Sequence, residues 1–591
     1  MARNRYDVDE VLETPFDFAH LKRSFVYIKK YKGKMITALV LSVFAAISGL
    51  LGPLITQYAL DNTIPQKNMG QLVLLTLAFV GTIAVSITFS TIRSRIMTVV
   101  GQDIIFDIRT DLFKHLQELP FEYYDNRPHG KILIRVVNYV NSVSDMLSNG
   151  IINVILECLN MLFIMIFMFF VNVKLSLVVL SGLPIFAVIM MMIKKRQRKA
   201  WQDVSNKSSN LNAYLQENIT GARVTQIFTR EEENAQIFDR LSEKYRKSWI
   251  NAVKYSNLVW PATDNVSTLV RAAIFVVGLL VLTPAAVSLG TIVAMTSYAS
   301  SFWQPIMNLS NIFNNFINNI AYLERIFETL DEPATIADKP NAQDIGDITG
   351  EVKFDDVTFS YEQGKTVLEH ISFDVKPGES VALVGPTGAG KSTVVSLLSR
   401  FYDLDSGKIT IDGKDISQAT LHSLRSQMGI MLQDSFIFSG TIRDNIAYGK
   451  LDATDDEIRT ACSIVGIDNY IESLPDGYNT VVNERGSGLS QGQKQLIAFA
   501  RTIVSDPKIL VLDEATSSID AMTERYLQHG LDHLMRGRTS FIIAHRLSTI
   551  RSCDRIMYVS NKGITEAGTH DELMAQNGLY AHLYQIQYRS R

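Results

Sequence analysis

Apolar and polar residues divide the chain into two regions of different character. The first region contains six long apolar stretches, at about 35–60, 71–92, 148–171, 174–193, 257–283 and 290–316. Each stretch is near the ~20 residues that a helix needs to cross a bilayer. The pattern therefore predicts six membrane-spanning helices, of which the last two are the most interrupted by polar residues.

The loops between these stretches alternate in length and charge. Three are short, whereas Arg93–Leu147 and Lys194–Tyr255 are long and polar, and the second opens with the basic run 194–199. Basic residues concentrate on the cytoplasmic side of membrane proteins. We therefore expect both long loops and both chain termini to be cytoplasmic, in a multi-pass protein of the inner, cytoplasmic membrane.

The long loops carry helical periodicity of their own. Apolar residues recur every three or four positions in Asp103–Leu119 and in Ala200–Phe228. This spacing predicts membrane helices that continue into the cytoplasm and turn near Pro120–Gly130 and Asn218–Arg230. Such stalks could transmit motion to the membrane, or they could form helical hairpins without a coupling role, and periodicity does not distinguish the two.

Composition then divides the chain into four segments. Residues 1–34 end in a mixture of apolar and basic side chains that is typical of an amphipathic elbow on the inner membrane face, although a solvated basic segment is the alternative. Residues 35–330 form the six-helix transmembrane domain with its intracellular loops. Pro333 and Pro340 break helix, so 331–350 is interpreted as a linker. Residues 351–591 have the composition of a soluble α/β domain.

Charge and cysteine content exclude two other classes of protein. The net charge of −3 lacks the basic excess of nucleic-acid-binding proteins. Cys158, Cys462 and Cys553 lie far apart, without the spacing of metal ligands. We therefore expect no nucleic-acid partner, and we interpret the cysteines as reduced and mostly buried.

A glycine-rich run in the soluble region has the arrangement of a phosphate-binding P-loop. It follows the apolar strand Val381–Val384 and precedes a helix that starts near Thr393. Glycines allow backbone N–H groups to surround phosphate oxygens, and the lysine and serine can reach the β- and γ-phosphates and Mg²⁺. The run is Gly385-Pro386-Thr387-Gly388-Ala389-Gly390-Lys391-Ser392.

Two further strand ends carry polar residues suited to nucleotide hydrolysis. The apolar strand at 509–512 ends in Asp513 and Glu514. One acid can hold Mg²⁺ through its water shell, and the second can orient or deprotonate the attacking water. His545 follows another apolar strand and could touch the γ-phosphate, although a single histidine at a strand end is more often structural.

Together these motifs resemble those of ATP-binding cassette proteins. The run Leu489-Ser490-Gln491-Gly492-Gln493 resembles the family's signature motif, and Gln433, Ser518-Ile519-Asp520 and His545 match other motifs. Residues 433–442, 119–125 and 221–224 are similar to segments of the exporter branch. The resemblance covers about residues 20–585. It implies a bacterial multidrug half-transporter, with six transmembrane helices followed by an α/β P-loop nucleotide-binding domain.

The resemblance assigns expected roles to individual residues. Tyr361 would stack on adenine, and Gly388, Gly390 and Thr393 would join Lys391 and Ser392 around the phosphates and Mg²⁺. Glu514 would be the catalytic base and Asp513 would serve Mg²⁺. The other expected roles are Mg²⁺ and water sensing by Gln433, γ-phosphate contact by His545, a link between the two sites by Asp520, and binding of a second subunit's ATP by the signature residues Ser490, Gly492 and Gln493.

One P-loop and one signature motif imply that two chains build each complete site. A second half-transporter is therefore the expected partner, with ATP and Mg²⁺ as ligands. Gln491 replaces the usual glycine of the signature while Glu514 is intact, a combination that favours a heterodimer. The same glutamine occurs in homodimeric relatives, so a homodimer stays open.

The transported compound is the least defined part of this interpretation. Buried charges in a bilayer face a cavity or pair with one another. With aromatic neighbours, such charges would suit amphipathic or cationic drug-like compounds. A lipid flippase is an alternative, and an ATP-gated channel or regulatory membrane protein is an alternative of another class. The candidate cavity residues are Asp264, Arg271, Glu157, Asn160 and Trp303.

Overall fold

A computed structural model describes residues 18–125, 127, 129–281, 287–362, 364–431, 435–513, 521–544 and 547–588. Its contacts separate two compact units. The first contains Met1–Gln117 and Pro128–Glu332, and the second contains Glu118–Arg127 and Pro333–Arg591. The short segment Glu118–Arg127 therefore belongs to the second unit, although the chain on both sides of it belongs to the first.

Helices account for nearly all described residues up to Leu330, and we number them in chain order. They are α1 (Phe18–Lys30), α2 (Lys32–Tyr58), α3 (Met69–Glu118), α4 (Phe121–Asp125), α5 (His129–Ile134), α6 (Val140–Asp145), α7 (Ile151–Val171), α8 (Val173–Thr220), α9 (Ala222–Ile227), α10 (Glu231–Asn257), α11 (Val259–Val276) and α12 (Leu289–Leu330). Helix α4 lies in the second unit. Short π-helical turns occur at Ala59–Thr63, Arg135–Tyr139, Met146–Gly150 and Val277–Val281.

Within the described residues, five helical stretches are long and apolar enough to cross a membrane. They are Lys32–Thr63, Met69–Glu118, Ile132–Val171, Val173–Thr220 and Glu231–Leu280. The first five predicted spans each fall in one of these stretches, except that the end of 257–283 passes beyond the described residues. Five of the six predicted membrane spans are therefore supported by helices long and apolar enough to cross a membrane.

The sixth predicted span, 290–316, falls in α12, which is not among those five stretches. One face of α12 is buried, with Tyr298 at 0% exposure and Trp303 at 2%. Another face carries the exposed Ser297, Ser301 and Gln304. Because these polar side chains recur every three or four residues, they lower the hydropathy of a helix whose other face packs in the core.

Trp303, predicted to line a substrate cavity, has its side chain buried in this structure, at 2% exposure. Its ring packs against Phe186, with ring centroids 5.2 Å apart, and against Phe302 at 5.5 Å. A Cβ atom built on Gly182 of α8 would lie 3.1 Å from the Trp303 ring and 2.6 Å from Val270. Trp303 thus belongs to the core between α8, α11 and α12, because the closely packed helices bury its apolar ring.

Both predicted turns of the long helices are confirmed. Helix α3 ends at Glu118 before the short α4, and α8 ends at Thr220 before α9 and the start of α10. Helices α8 and α10 pack together around Ala200, Val204 and Ala252. The two long loops of the sequence are therefore helical extensions.

Helix α1 is fastened to α3 by a row of polar contacts. Three aspartates spaced four residues apart share one face of α3 and accept hydrogen bonds from α1 and the start of α2. The pairs are Tyr27–Asp111 (3.0 Å), Lys30–Asp107 (2.8 Å) and Lys34–Asp103 (2.9 Å). On α1, Phe25 and Val26 are 47% and 71% exposed. Their exposure leaves an apolar face that fits the predicted amphipathic elbow.

The second unit is built from strands and helices in alternation. The strands are β1 (Val352–Glu362), β2 (Lys365–Val375), β3 (Ser380–Val384), β4 (Ser406–Ile411), β5 (Lys414–Asp415), β6 (Met428–Met431), β7 (Gly440–Thr441), β8 (Val481–Val482), β9 (Ile509–Asp513), β10 (Thr539–Ile543), β11 (Arg555–Ser560) and β12 (Gly563–Gly568). The helices are α13 (Lys391–Leu398), α14 (Leu421–Arg425), α15 (Ile442–Ala447), α16 (Asp455–Val465), α17 (Asp468–Glu472), α18 (Gln491–Ser505), α19 (Ala521–Met535), α20 (Leu547–Ser552), α21 (His570–Gln576) and α22 (Leu579–Tyr588).

These strands form a central six-stranded sheet in the order β12-β11-β3-β10-β9-β6, beside a four-stranded sheet in the order β2-β1-β4-β5. Strands β11, β3, β10, β9 and β6 run parallel, so their carboxyl ends meet at one edge. Ligands of parallel α/β sheets bind at that edge. The predicted α/β class is thus seen in the second unit.

Two of the apolar cores in this unit are distinct. One surrounds β1, β3 and α13, and it includes Val381 of the central sheet and Val394 of α13. The other surrounds α15, α16 and α18, and it includes Ile446 and Ile497. The phosphate-binding loop therefore belongs to a different core from the signature helix α18.

Candidate functional site

The glycine-rich loop connects the fully buried strand β3 to helix α13. Three of its glycines have positive φ angles, with 142° at Gly385, 80° at Gly388 and 102° at Gly390. A Cβ atom on Gly390 would lie 2.6 Å from Leu368, and one on Gly385 would collide with the Val559 carbonyl oxygen. The backbone collision excludes a larger side chain at Gly385, and the positive φ disfavours one at Gly390, so the loop backbone can approach a bound anion closely.

Lys391 opens α13 and is 9% exposed. Its Nζ donates to the carbonyl oxygens of Gly385 and Pro386, each at 2.9 Å. Burial lowers the pKa of Lys391, and the nearby Asp513 carboxylate opposes that effect. The loop thus holds the Lys391 ammonium group beside its own backbone. Phosphate oxygens of a bound nucleotide can replace the two carbonyl oxygens as its hydrogen-bond acceptors.

A cavity of about 370 Å³ adjoins the start of α13. Ser392 and Asp513 both line it, so a hydroxyl and a carboxylate face one space. The remaining lining residues are Phe121, Glu122, Asp125, Tyr361, Glu362, Val395, Ser396, Phe401, Tyr402, Ile430, Met431, Val511 and Ile543. The cavity combines oxygen ligands with aromatic rings, a pattern suited to a nucleotide.

Tyr361 stands at the end of β1 and is 43% exposed. Its hydroxyl shares a 3.2 Å hydrogen bond with Thr393, whose side chain is buried in α13. Its ring meets Phe359 and Tyr402 edge-on, with centroids 4.8 and 5.1 Å away. These contacts fix the ring while leaving part of it exposed for stacking.

The signature residues begin helix α18. The Ser490 side chain accepts a hydrogen bond from the Gln493 backbone N–H at 3.2 Å, and the Gln493 side chain accepts one from Ser490 N–H at 2.8 Å. This capping box leaves the Ser490 hydroxyl hydrogen and the Gln491 and Gly492 N–H groups available. Ser490 and Gln491 are exposed. The helix start is therefore a potential anion site, and none of its residues lines the P-loop cavity.

Two family models match the chain in sequence. Residues 35–306 match the model described as the ABC transporter transmembrane region, and residues 368–517 match the model described as ABC transporter. The chain is also 40% identical over 590 residues to the Bacillus subtilis "Uncharacterized ABC transporter ATP-binding protein YknV", covering 100% of this chain and 98% of that protein. The chain belongs to the ABC transporter family.

Other relatives carry more specific names. A Bacillus subtilis "Putative multidrug export ATP-binding/permease protein YgaD" is 35% identical, over 96% of this chain and 99% of its own length. A Mycobacterium bovis "Fatty acid ABC transporter ATP-binding/permease protein" is 37% identical, over 83% of this chain and 77% of its own length. The shared architecture of a membrane region and an ATP-binding region in one chain is that of an exporter half-transporter.

A solved structure has the same architecture. It is described as "Structure of a bacterial Atm1-family ABC exporter with ATP bound", has a TM-score of 0.79 and 28% identity, and is matched over 94% of this chain and 98% of its own. The chain is thus an ATP-hydrolysing ABC exporter that joins a membrane region and an ATP-binding region in one polypeptide.

The exporter's nucleotide cavity has one wall that the sequence-based prediction missed. Segment Glu118–Arg127 contributes Phe121, whose ring lies 4.4 Å from that of Phe401. Tyr402 donates a 2.9 Å hydrogen bond to Asp125 of the same segment. Burial raises the pKa of Tyr402, and the bond to Asp125 adds to that effect. Because Tyr402 also touches Tyr361, a chain of contacts runs from the Tyr361 ring to a segment joined directly to α3.

We expect Tyr402→Phe to weaken coupling between ATP binding and transport in the exporter. The ring contacts with Tyr361 would persist, whereas the bond to a carboxylate, a strong class of hydrogen bond, would be lost. Transport per ATP hydrolysed should fall by roughly threefold to tenfold, with little change in ATP affinity. Both quantities can be measured in proteoliposomes.

The partner residue provides the matching controls. Asp125→Asn retains an oxygen that accepts from Tyr402, so it should remain near wild type, whereas Asp125→Ala should reproduce Tyr402→Phe. Loss of ATP affinity with unchanged coupling would contradict this assignment and would instead make Tyr402 a support for Tyr361.

Four predicted site residues, Gln433, Glu514, Asp520 and His545, lie outside the described residues. Along the chain, Gln433 follows β6 by two residues, Glu514 follows β9 directly and His545 follows β10 by two. The remaining P-loop residues, Pro386, Thr387 and Ala389, lie between β3 and α13 as predicted. The roles of all predicted site residues stay predictions.

The predicted membrane charges are paired in the exporter's first unit. Asp264 and Arg271 of α11 approach to 3.9 Å, with side chains 54% and 38% exposed. Glu157 of α7 accepts a 2.7 Å hydrogen bond from Asn308 of α12. Asn160, one turn further along α7, is half-buried. Both arrangements satisfy charges that would be costly in isolation.

Proposed function

We propose that the exporter moves amphipathic, drug-like compounds out across the cytoplasmic membrane by alternating access, as one half of a dimer. The observation that carries this proposal is that none of the residues at the exposed start of α18 lines the P-loop cavity. A P-loop site that needs a signature serine would then receive it from a second subunit. ATP binding would close two such units, and hydrolysis would reopen them.

A heterodimer is favoured over a homodimer. Gln491 adds a side chain at the exposed start of α18, where the family resemblance expects glycine. Glu514 is present in the sequence. The exporter would then complete its own working site with the partner's signature, while its altered signature would serve a weaker site. Mass measurement of the purified complex tests this point, because a single species of twice 66.2 kDa would favour a homodimer.

The exporter's own residues suit phosphoryl transfer to water. Lys391 and the loop N–H groups would bind the β- and γ-phosphates, and the nearby start of α13 adds partial positive charge. Glu514 would accept a proton from the attacking water, while Gln433 and His545 would orient water and γ-phosphate. Tyr361 would hold the adenine by stacking.

The donor set in the cavity also fits Mg²⁺. Ser392 and Asp513 present a hydroxyl and a carboxylate to the same space, and Mg²⁺ prefers oxygen ligands alongside phosphates. We expect these two residues, with Gln433, to hold the ion. When bound, Mg²⁺ would neutralise phosphate charge during transfer.

Membrane placement follows from the apolar stretches and the basic loops. Helix α12 is proposed as the sixth span, because its buried face packs among the other helices and its polar face can line a passage. The basic run at the end of the α8 span would lie in the cytoplasm with both termini. Selective labelling of cysteines introduced at the two ends of the α8 span tests this orientation.

Two polar pairs are the proposed substrate contacts in the membrane. Glu157, bonded to Asn308, and Asp264, paired with Arg271, offer acids to a cationic or amphipathic compound. A relative named for multidrug export agrees with this class of substrate. Asn160 lies close enough along α7 to join the same surface.

We expect Glu157→Ala and Asp264→Ala each to reduce efflux of cationic dyes by roughly tenfold while basal ATP hydrolysis persists, since either change removes an acid from the proposed passage. Dye transport and ATP hydrolysis are measured in the same vesicles. Cys158→Ala, a neutral change at the exposed neighbour of Glu157, is the control. Unaltered efflux of every cationic dye by both acid variants would sink the assignment.

A lipid flippase is the second candidate, favoured by the relative named as a fatty acid transporter. Arg271 could bind an anionic head group once released from Asp264. Parallel assays of dye efflux and of fluorescent lipid translocation distinguish the two functions.

A further inference from the structure

A groove between α8 and α10 lies outside the nucleotide site and the proposed substrate passage. It encloses about 430 Å³. Ala200 lines the groove and belongs to the small apolar cluster that Ala200, Val204 and Ala252 form between the two helices. Its polar lining consists of Arg196, Lys199, Gln202, Asn206, Asn251 and Tyr255, together with Asp203.

The groove stands just past the end of an apolar span. Residues 175–193 carry no charged side chain. At about 1.5 Å per helical residue, Arg196 and Lys199 lie roughly 4–9 Å beyond residue 193. Lipid head groups occupy about the first 5–8 Å outside the hydrocarbon core. A straight, upright α8 would therefore place the Arg196 backbone at head-group depth and that of Lys199 at the outer edge of the head-group layer.

The charges of the groove favour an anion. Neither Arg196 nor Lys199 forms an ion pair with a described residue. The one acid of the lining, Asp203, already accepts a hydrogen bond from Ser248. The amides of Gln202, Asn206 and Asn251 can donate further hydrogen bonds to phosphate oxygens.

Two tryptophans lie close in sequence to the groove residues of α8 and α10. Trp201 and Trp249 meet edge-on with ring centroids 5.3 Å apart, and Trp201 donates a 3.0 Å hydrogen bond to Ser256. Their side chains are 38% and 43% exposed. Tryptophan is enriched at membrane interfaces, where an apolar ring and a polar N–H are both satisfied.

We propose that this groove binds the head-group phosphate of an anionic phospholipid in the cytoplasmic leaflet. The inference rests on the membrane placement proposed above. Arg196 and Lys199 contact the phosphate, the amides and Tyr255 hold its oxygens and glycerol, and the acyl chains follow the apolar surface of α8. We favour a phospholipid over free phosphate because the groove begins only three residues past the uncharged stretch 175–193, within reach of lipid head groups.

The test uses the full-length exporter in nanodiscs of phosphatidylcholine with added brominated phosphatidylglycerol. Bromine quenches nearby tryptophan fluorescence, and Trp201 lies between the lining residues Ala200 and Gln202 in sequence and contacts Trp249. We expect saturable quenching that brominated phosphatidylcholine does not reproduce. R196Q/K199Q should weaken the apparent affinity for phosphatidylglycerol by roughly tenfold.

The control variant comes from the same basic run. K195Q/R198Q removes the same charge at the same spacing, but neither residue lines the groove. Twofold weakening or less in this control supports a built site. Equal loss of phosphatidylglycerol affinity in both variants would mean that the basic surface attracts anionic lipid in general. Displacement of the lipid by millimolar inorganic phosphate would mean that the groove is an aqueous anion site. Either result overturns the proposal. Absence of lipid preference with ATP-driven transport intact would also overturn it while leaving the exporter function standing.

Discussion

Replacing Glu514 by glutamine is expected to lower ATP hydrolysis by at least about a hundredfold while ATP binding is retained. The residue follows directly after β9, whose last residue, Asp513, lines the cavity with Ser392. Glutamine keeps the size of the side chain but cannot accept the proton of the attacking water. Loss of a positioned general base typically costs roughly 10²–10⁴-fold in rate. Phosphate release by the purified complex gives the measurement.

The same substitution should trap two subunits around ATP. Hydrolysis reopens the dimer in the proposed cycle, so the variant should accumulate a closed, nucleotide-bound complex that sediments as one species. Glu472→Gln, an exposed acid of α17 paired with Arg459, is the control and should hydrolyse ATP normally. A Glu514→Gln exporter within tenfold of wild-type hydrolysis would remove Glu514 from the role of base.

Local motifs were sufficient to predict the nucleotide end of the molecule. The glycine spacing of residues 385–390 requires a strand before it and a helix after it, and both are present as β3 and α13. Apolar stretches of about 20 residues likewise predicted six spans without any tertiary information, and five of them fall in described helices long and apolar enough to cross a membrane. These features are encoded in contiguous residues, so the sequence alone could predict them.

Contacts between distant residues could not be predicted in this way. Tyr402 and Asp125 are 277 positions apart, and nothing local marks the hydrogen bond between them. Trp303 shows the same limit, because from the sequence alone a large aromatic ring in a polar-striped helix fits a cavity as readily as a core. Its packing against Phe186 and its close approach to Gly182 are visible only in the structure.

Identifying the groove between α8 and α10 requires both the local sequence and the contacts between distant residues. The basic run 194–199 is visible in the sequence, but its cations divide between faces. Arg196 and Lys199 line the groove, whereas Lys195 and Arg198 do not. A run of residues that is uniformly basic in the sequence therefore contributes to two different faces of the folded helix.

Replacing Lys391 by methionine is expected to weaken ATP binding by at least about tenfold and to abolish transport. The ammonium group stands at the loop mouth, and its two hydrogen bonds to Gly385 and Pro386 hold it there. Methionine retains the apolar stem but leaves both carbonyl oxygens without that donor, at a cost of about 1–3 kcal/mol in stability if they stay dry. Nucleotide binding and thermal unfolding should be measured together.

The pH dependence of ATP binding separates charge from packing at this position. Because burial lowers the pKa of Lys391 from its ordinary value, the ammonium is present below that lowered pKa and is lost as pH rises through it. Wild-type affinity should therefore fall on the alkaline side, and bound phosphate should delay the fall. Lys391→Met should show no such alkaline loss, whereas Lys562→Met, at an exposed lysine paired with Glu369, should retain it. An identical alkaline profile in Lys391→Met would show that another group binds the phosphates.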